Sequence, residues 1–262
     1  MLEFLLSTDA IFALLTLTFL EVVLGIDNII FISIVANKLP EHQRNRATNI
    51  GLVLAMVQRI IFLFFVSLLV GLKKPFANIE LDWFYSDISW QSLILFVGGL
   101  FLIYKSTSEI YLKVEKPDSE EASLKEKVFD SMQKAIFQIL IIDIIFSLDS
   151  ILTAVGMTNG ISPNPNHGLV IMIIAIVISM IIMIWFANPI RKFIANHPSM
   201  QVLGLAFLIL IGFMLIAEAA HLSNTLVFGN SIGVIPKGYL YFAISFSLFV
   251  EFLNFKIRKK TK

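Results

Sequence analysis

The chain has 262 residues, of which 57% are hydrophobic and 15% charged, with a net charge of +1 and a mean hydropathy of +0.85. A soluble domain carries about 25% charged residues, so this composition excludes an ordinary water-soluble domain, and the near-neutral charge gives no reason to expect a nucleic-acid partner. The absence of cysteine excludes a disulfide framework, thiolate chemistry and a Cys-type zinc site.

A helix needs about 20 apolar residues to cross a hydrocarbon core of roughly 30 Å. The first predicted span covers about 10–36 and contains "EVVLGIDNII" at 21–30. No basic region precedes it, so a retained span is expected and not a cleaved signal peptide. The break "NKLPEHQRNRATN" leads to a second span at about 49–72, with Arg59 inside it. Next comes "KKPFANIELDWFYSDIS", where Trp83, Phe84, Tyr85 and, just beyond, Trp90 suit an interfacial aromatic belt. A third span, about 89–111, closes near Glu109. The charged stretch at about 112–131 predicts a solvated connector. A fourth span at about 132–157 contains "DIIFSLDSIL" at 143–152. Two further spans follow at about 168–190 and 200–220, separated by "ANPIRKFIANHPSM". The seventh, about 237–255, carries Glu251 and runs into "KIRKKTK". The predicted fold class is an all-α membrane protein of seven transmembrane helices in a single transmembrane domain.

Basic residues orient such a chain, because loops rich in Lys and Arg stay cytoplasmic. With the N-terminus outside, sixteen Lys and Arg fall inside and three, Lys73, Lys74 and Lys237, fall outside. The expected location is the cell's inner membrane, with the C-terminus cytoplasmic.

The two acidic stretches align at an offset of 122: Glu21 with Asp143, Asp27 with Asp149, Asn28 with Ser150. Gly25 falls opposite Ser147, both small. Each stretch opens a set of three spans, about 9–111 and 132–220. Three is odd, so the sets cross in opposite directions, as in the inverted repeats of secondary transporters. The seventh span stands outside the repeat. Asp27 precedes Lys38 by 11 residues, about 16 Å of helical rise, and so lies near the midplane. Asp149 is likewise central, 15 residues beyond Lys134 and 9 before Thr158. On this geometry Glu21 is displaced outward from Asp27, and Asp143 inward from Asp149.

An intramembrane charge costs about 2.5–3.5 kcal/mol even on the mildest scales, so four central acids need compensation. Arg59 can neutralise one at most, with Glu21 and Asp143 the candidates; protonation or a bound cation must serve the others. The set Glu21, Asp27, Asn28, Asp143, Asp149 and Ser150 offers only oxygen ligands, which suits hard ions such as Mn²⁺, Mg²⁺ and Ca²⁺. Glu21 and Asp27 lie about 120° apart on one helix unless it breaks, which Gly25 would permit. Asp27 and Asp149 are the favoured direct ligands, with Glu21 and Asp143 as gates, proton acceptors or supporting groups. Glu109, Glu218 and Glu251 sit near span ends and are expected to reach for the interface. His221 follows Glu218 by three residues at the outer mouth, as an interfacial side chain or a metal exit site.

The motifs "EVVLGIDNI" and "DIIFSLDSI" resemble those of the TerC integral membrane proteins, a family grouped with LysE-type exporters. Arg59, "AEAAH" at 217–221 and "IPKGYLYFAISFSLFVEFLN" at 235–254 extend the resemblance over essentially the whole chain. It implies seven helices with two inverted three-helix repeats, and export of a divalent metal, most often Mn²⁺. By motif match it points to Asp27, Asn28, Asp149 and Ser150 as the metal site, with Glu21 and Asp143 nearby. Tellurite, the anion behind the family name, finds no evident chemistry in an oxygen-lined cluster. No appended cytoplasmic domain and no resident cofactor are expected.

The leading expectation is therefore a metal exporter working by alternating access, with Mn²⁺ or Ca²⁺ as cargo and proton antiport as candidate coupling. No Walker motif encodes an ATP drive. One rival is a membrane chaperone or insertion factor with structural acids. The enzyme rival, an intramembrane aspartyl protease, also buries two aspartates. It lacks its expected "GxGD" context here, where the chain reads "LGID" and "FSLD". No enzymatic activity is expected.

Overall fold

The structure, a computed structural model, describes residues 4, 7–65, 71–115, 131–158, 161–162 and 165–260. Seven long helices are present among them: α1 (Thr8–Asn37), α2 (Glu41–Phe64), α3 (Trp90–Glu115), α4 (Met132–Thr158), α5 (Pro165–Asn196), α6 (Pro198–Leu222) and α7 (Lys237–Lys260). The first six are long and apolar enough to cross a membrane. The seventh is of similar length but is interrupted by Glu251, Asn254 and Lys256 and falls outside that set.

Helix boundaries follow local chemistry. Ser7 caps α1 by accepting the Ala10 N–H, and Asp9 complements the dipole of the first turn. Pro40 ends the turn after α1, and α2 begins directly at Glu41, so most of the polar stretch expected as a loop is helical. The same holds after the fifth span. Helix α5 continues through Pro189 to Asn196, and only His197 separates it from Pro198 at the start of α6. Proline fits a first turn, where its missing N–H has no partner to lose. Inside α5 it removes one backbone hydrogen bond, which membrane helices tolerate where neighbours restore the pairing. The connector at 112–131 lies mostly outside the described residues, though α3 extends into it as far as Glu115.

A small antiparallel sheet, absent from the expected all-α fold, links β1 (Pro75–Leu81), β2 (Phe84–Ser89), β3 (Leu226–Val227) and β4 (Asn230–Ser231) in that order. Its first hairpin pairs Leu81 with Phe84 and Asn78 with Asp87. The second turns at Phe228 and Gly229, both at positive φ, the conformation a two-residue I′ turn requires. Trp83 packs beside Phe84 and Phe228, and Phe76 stacks on Trp90 at 4.7 Å. The Tyr85 hydroxyl donates to Asp87 at 2.8 Å, which raises the phenol above its ordinary pKa. Ser89 and Ser92 each accept the other's backbone N–H, a reciprocal cap that starts α3.

The described chain divides into two compact units, each drawn from both halves of the sequence. The first, Met1–Leu72 with Ser123–Asn196, holds α1, α2, α4 and α5. In it α1 runs parallel to α5: Phe4 stacks on His167 at 4.2 Å near one end, and Arg191 donates to Asn37 at 3.0 Å near the other. Helix α2 runs parallel to α4, with Gly51 against Ile139 and Arg59 against Asp143.

The second unit, Lys73–Ala122 with His197–Lys262, holds the sheet, α3, α6 and α7. Helices α3 and α6 are antiparallel, since Gly99 faces Gly212 while Lys113 meets Gln201. A Cβ on Gly99 would lie 2.6 Å from the Gly212 carbonyl oxygen, and one on Gly212 would lie 2.8 Å from that of Gly99. Only glycine at both positions permits this approach.

Candidate functional site

The site starts from a stripe on α2. Ala47, Gly51, Ala55 and Arg59 recur every fourth residue, all buried, and so share one face. The three small residues bring that face close to its neighbours; a Cβ at Gly51 would already press on Ile139 at 3.1 Å. Arg59 continues the stripe, so its side chain enters the interior of the first unit and the residue is 2% exposed.

Two acids meet that guanidinium. Arg59 Nη1 donates to Glu21 Oε2 at 2.6 Å, and Nη2 donates to Asp143 Oδ1 at 2.6 Å. Nε donates to Asp143 Oδ2 at 3.2 Å, making that pair a two-bond fork. Asn28 Nδ2 adds a donor to Asp143 Oδ1 at 3.4 Å. Gln58 Nε2 reaches Asp143 Oδ2 at 3.5 Å and the Leu140 carbonyl at 3.4 Å. Glu21, Asn28 and Asp143 are 4%, 6% and 5% exposed, so the network is closed to solvent.

The geometry differs from the sequence expectation in three respects. Arg59 holds both first acids of the motifs, not one, because a guanidinium presents donors on two edges. Glu21 and Asp143 therefore share one partner and do not stand at separate outward and inward stations. Helix α1 is also unbroken through Gly25. The glycine serves a close approach instead, since a Cβ there would lie 2.1 Å from Met183 Sδ on α5.

Ser150 is buried, but its hydroxyl bonds back to the Ser147 carbonyl at 3.3 Å within α4. The side chains of Asp27 and Asp149 lie outside the described residues. Among the described residues, no three of His, Asp and Glu converge as a metal site.

Arg59 apart, the secondary candidates belong to the second unit. Glu109 is 8% exposed and pairs with Lys105 at 3.1 Å. Glu218 is half-buried and His221 exposed on the last turns of α6. Glu251 Oε2 accepts from Asn254 at 3.2 Å, while Oε1 is buried without a partner among the described residues.

Three participants carry weaker sequence signals. Gln58 beside Arg59 and Met183 against Gly25 have no motif of their own. The small-residue stripe ending in Arg59 is legible in sequence and tells which way that side chain points.

Comparison with known proteins agrees with a membrane-spanning chain. The chain is 45% identical to the UPF0053 inner membrane protein YgdQ of Escherichia coli (strain K12) over 252 residues, covering 96% of this chain and 95% of that protein. It is 41% identical to a UPF0053 protein of Haemophilus influenzae (strain ATCC 51907 / DSM 11121 / KW20 / Rd) over 262 residues and the whole of both chains. The UPF0053 inner membrane protein YoaE of Escherichia coli (strain K12) is 40% identical over 252 residues, which are 96% of this chain and 44% of that protein. No solved structure matches the chain. The family model of the integral membrane protein TerC family matches residues 6–262, and the chain belongs to that family.

Proposed function

We propose that the protein exports a divalent metal cation, Mn²⁺ first among them, across the inner membrane by alternating access. One observation carries this reading. Arg59 bonds Glu21 and Asp143, the first acid of each motif, and among the described residues no other cation reaches that network. Asp27 and Asp149, the second acids, therefore need compensation from elsewhere, and a hard divalent ion supplies it. Asn28 and Ser150, next to them in sequence, contribute neutral oxygens. Protons can occupy the same carboxylates in turn, which makes proton antiport the natural coupling.

The helix pairing supports an inverted repeat as the moving framework. If α1 corresponds to α4 and α2 to α5, the α1–α5 pair maps onto the α4–α2 pair, and both are parallel. The α3–α6 pair maps onto itself, with Gly99 and Gly212 in reciprocal contact. In this reading α7 is a seventh span outside the repeat, and the positive-inside count puts the N-terminus outside.

The test is flux of Mn²⁺, Ca²⁺ and Mg²⁺ through purified protein in liposomes. Wild type should carry Mn²⁺, and Asp27→Asn or Asp149→Asn should abolish flux while the protein still inserts. Full flux in the double variant would sink the assignment.

A further inference from the structure

A second polar feature lies away from Arg59, within the second unit. Helices α6 and α7 leave between them a groove of about 390 Å³. Leu203, Phe246 and Val250 form apolar walls, while Ser199, Ser247 and Glu251 are its polar lining. One carboxylate oxygen of Glu251 is occupied by Asn254; the other, Oε1, is buried and accepts nothing from the described residues. A buried acceptor without a donor is costly, so this oxygen calls for an N–H or O–H from outside the protein. We propose that the groove binds the head of a bilayer phospholipid bearing a primary ammonium, with Glu251 receiving the ammonium.

The chemistry narrows the occupant. A hard metal ion wants about six oxygen ligands, and one carboxylate with two hydroxyls falls far short. An ammonium instead needs a few acceptors and a negative charge, which Glu251, Ser199 and Ser247 offer. The apolar walls suit an acyl chain better than a free water-soluble amine.

Ser199 is the second residue of α6, so the groove opens at the first turns of that helix, where lipid heads lie; on α7 its lining runs from Phe246 to Glu251, the middle of the helix. Exposed Lys256 follows Glu251 along α7 and complements the phosphate of the same lipid. None of this depends on metal transport.

Native mass spectrometry of the full chain in detergent, with phosphatidylethanolamine, phosphatidylcholine and phosphatidylglycerol added separately, tests the site. Wild type should retain phosphatidylethanolamine above the other two, since only it offers ammonium N–H donors. Glu251→Gln should weaken that lipid about tenfold, the scale of one lost charge-assisted hydrogen bond, and leave phosphatidylglycerol unchanged. Ala206→Trp fills the groove from its exposed wall without touching the carboxylate, and should weaken phosphatidylethanolamine as well. Equal retention of all three lipids by wild type, or undiminished phosphatidylethanolamine in both variants, overturns the proposal.

Discussion

The motifs on α1 and α4 match in sequence, yet the structure loads them unequally. Among the described residues, Glu21 on α1 takes one hydrogen bond, from Arg59 Nη1. Asp143 on α4 takes two from Arg59 and one each from Asn28 and Gln58. The helices carrying them are the most enclosed of the six spans, 67% and 59% buried over their apolar windows against 33–44% for the others. Burial is thus common to both motifs, and the difference lies in the donors. Arg59 and Gln58 come from α2, the neighbour of α4, and the fork goes to the acid on the adjacent helix. A duplicated motif fixes which residues are available, while the unduplicated residues around it decide what each one does.

Removing the shared partner is the most severe way to break the comparison. Arg59→Leu would leave two buried carboxylates with no cation, and breaking a buried ion pair from one side costs about 3–5 kcal/mol. The detergent-solubilised variant should show a large fall in thermal unfolding temperature. Adding Glu21→Gln and Asp143→Asn should recover much of the loss, because the uncompensated charges go with the side chains. A single Arg59→Leu variant as stable as wild type would show that the network is not a stability element.

The inequality itself is tested by neutralising each acid alone. Glu21→Gln leaves Arg59 in its two-bond fork with Asp143, a pair of zero net charge, and should cost about 1 kcal/mol. Asp143→Asn removes the charge and one of the two acceptor oxygens, so Arg59 loses its fork and either Gln58 or Asn28 loses its acceptor. About 2–3 kcal/mol is expected, the range for hydrogen bonds to charged groups in a closed network. Thermal unfolding of the two variants side by side gives the order, and equal losses would return the motifs to equivalence.

Much of this arrangement is legible in sequence, and the remainder is hidden for identifiable reasons. Spans can be read from apolar length, which is why α4 falls at Met132–Thr158 beside an expected 132–157. Their ends are less secure, since Glu41–Asn49 and Arg191–Asn196 are polar enough to read as loops yet continue as helix in the structure. The sheet escapes because β3 and β4 have two residues each, while β1 is exposed throughout and β2 is buried only at every third residue, so neither shows a period of two. At the site, the acids are conspicuous because charge is rare in apolar runs. Their convergence on one guanidinium is not, because it depends on how α1, α2 and α4 pack. The depth argument from helical rise fixes position along one axis only, and a long Arg side chain can join two acids it would keep apart.

The mildest test concerns the small residues opposite each other in the repeat, Gly25 and Ser147. Ser147 is fully buried, and its hydroxyl is satisfied by the Ile144 carbonyl at 3.2 Å, so α4 accommodates a side chain there. At Gly25 the same space is filled by Met183, 1% exposed, whose sulfur would lie 2.1 Å from an added Cβ. Gly25→Ser would give α1 the residue that α4 carries at the matching position, yet it should destabilise by about 1–2 kcal/mol through overpacking. Met183 is unbranched and can move part of the way, which holds the cost at that level. Met183→Ala makes room, so the double variant should lose less than the two single losses added together. A coupling of at least about 0.5 kcal/mol in that cycle, read from thermal unfolding, is the expected sign of direct contact. Strict additivity would mean that Gly25 is small for another reason, and that α1 and α4 differ less at this position than their contacts indicate.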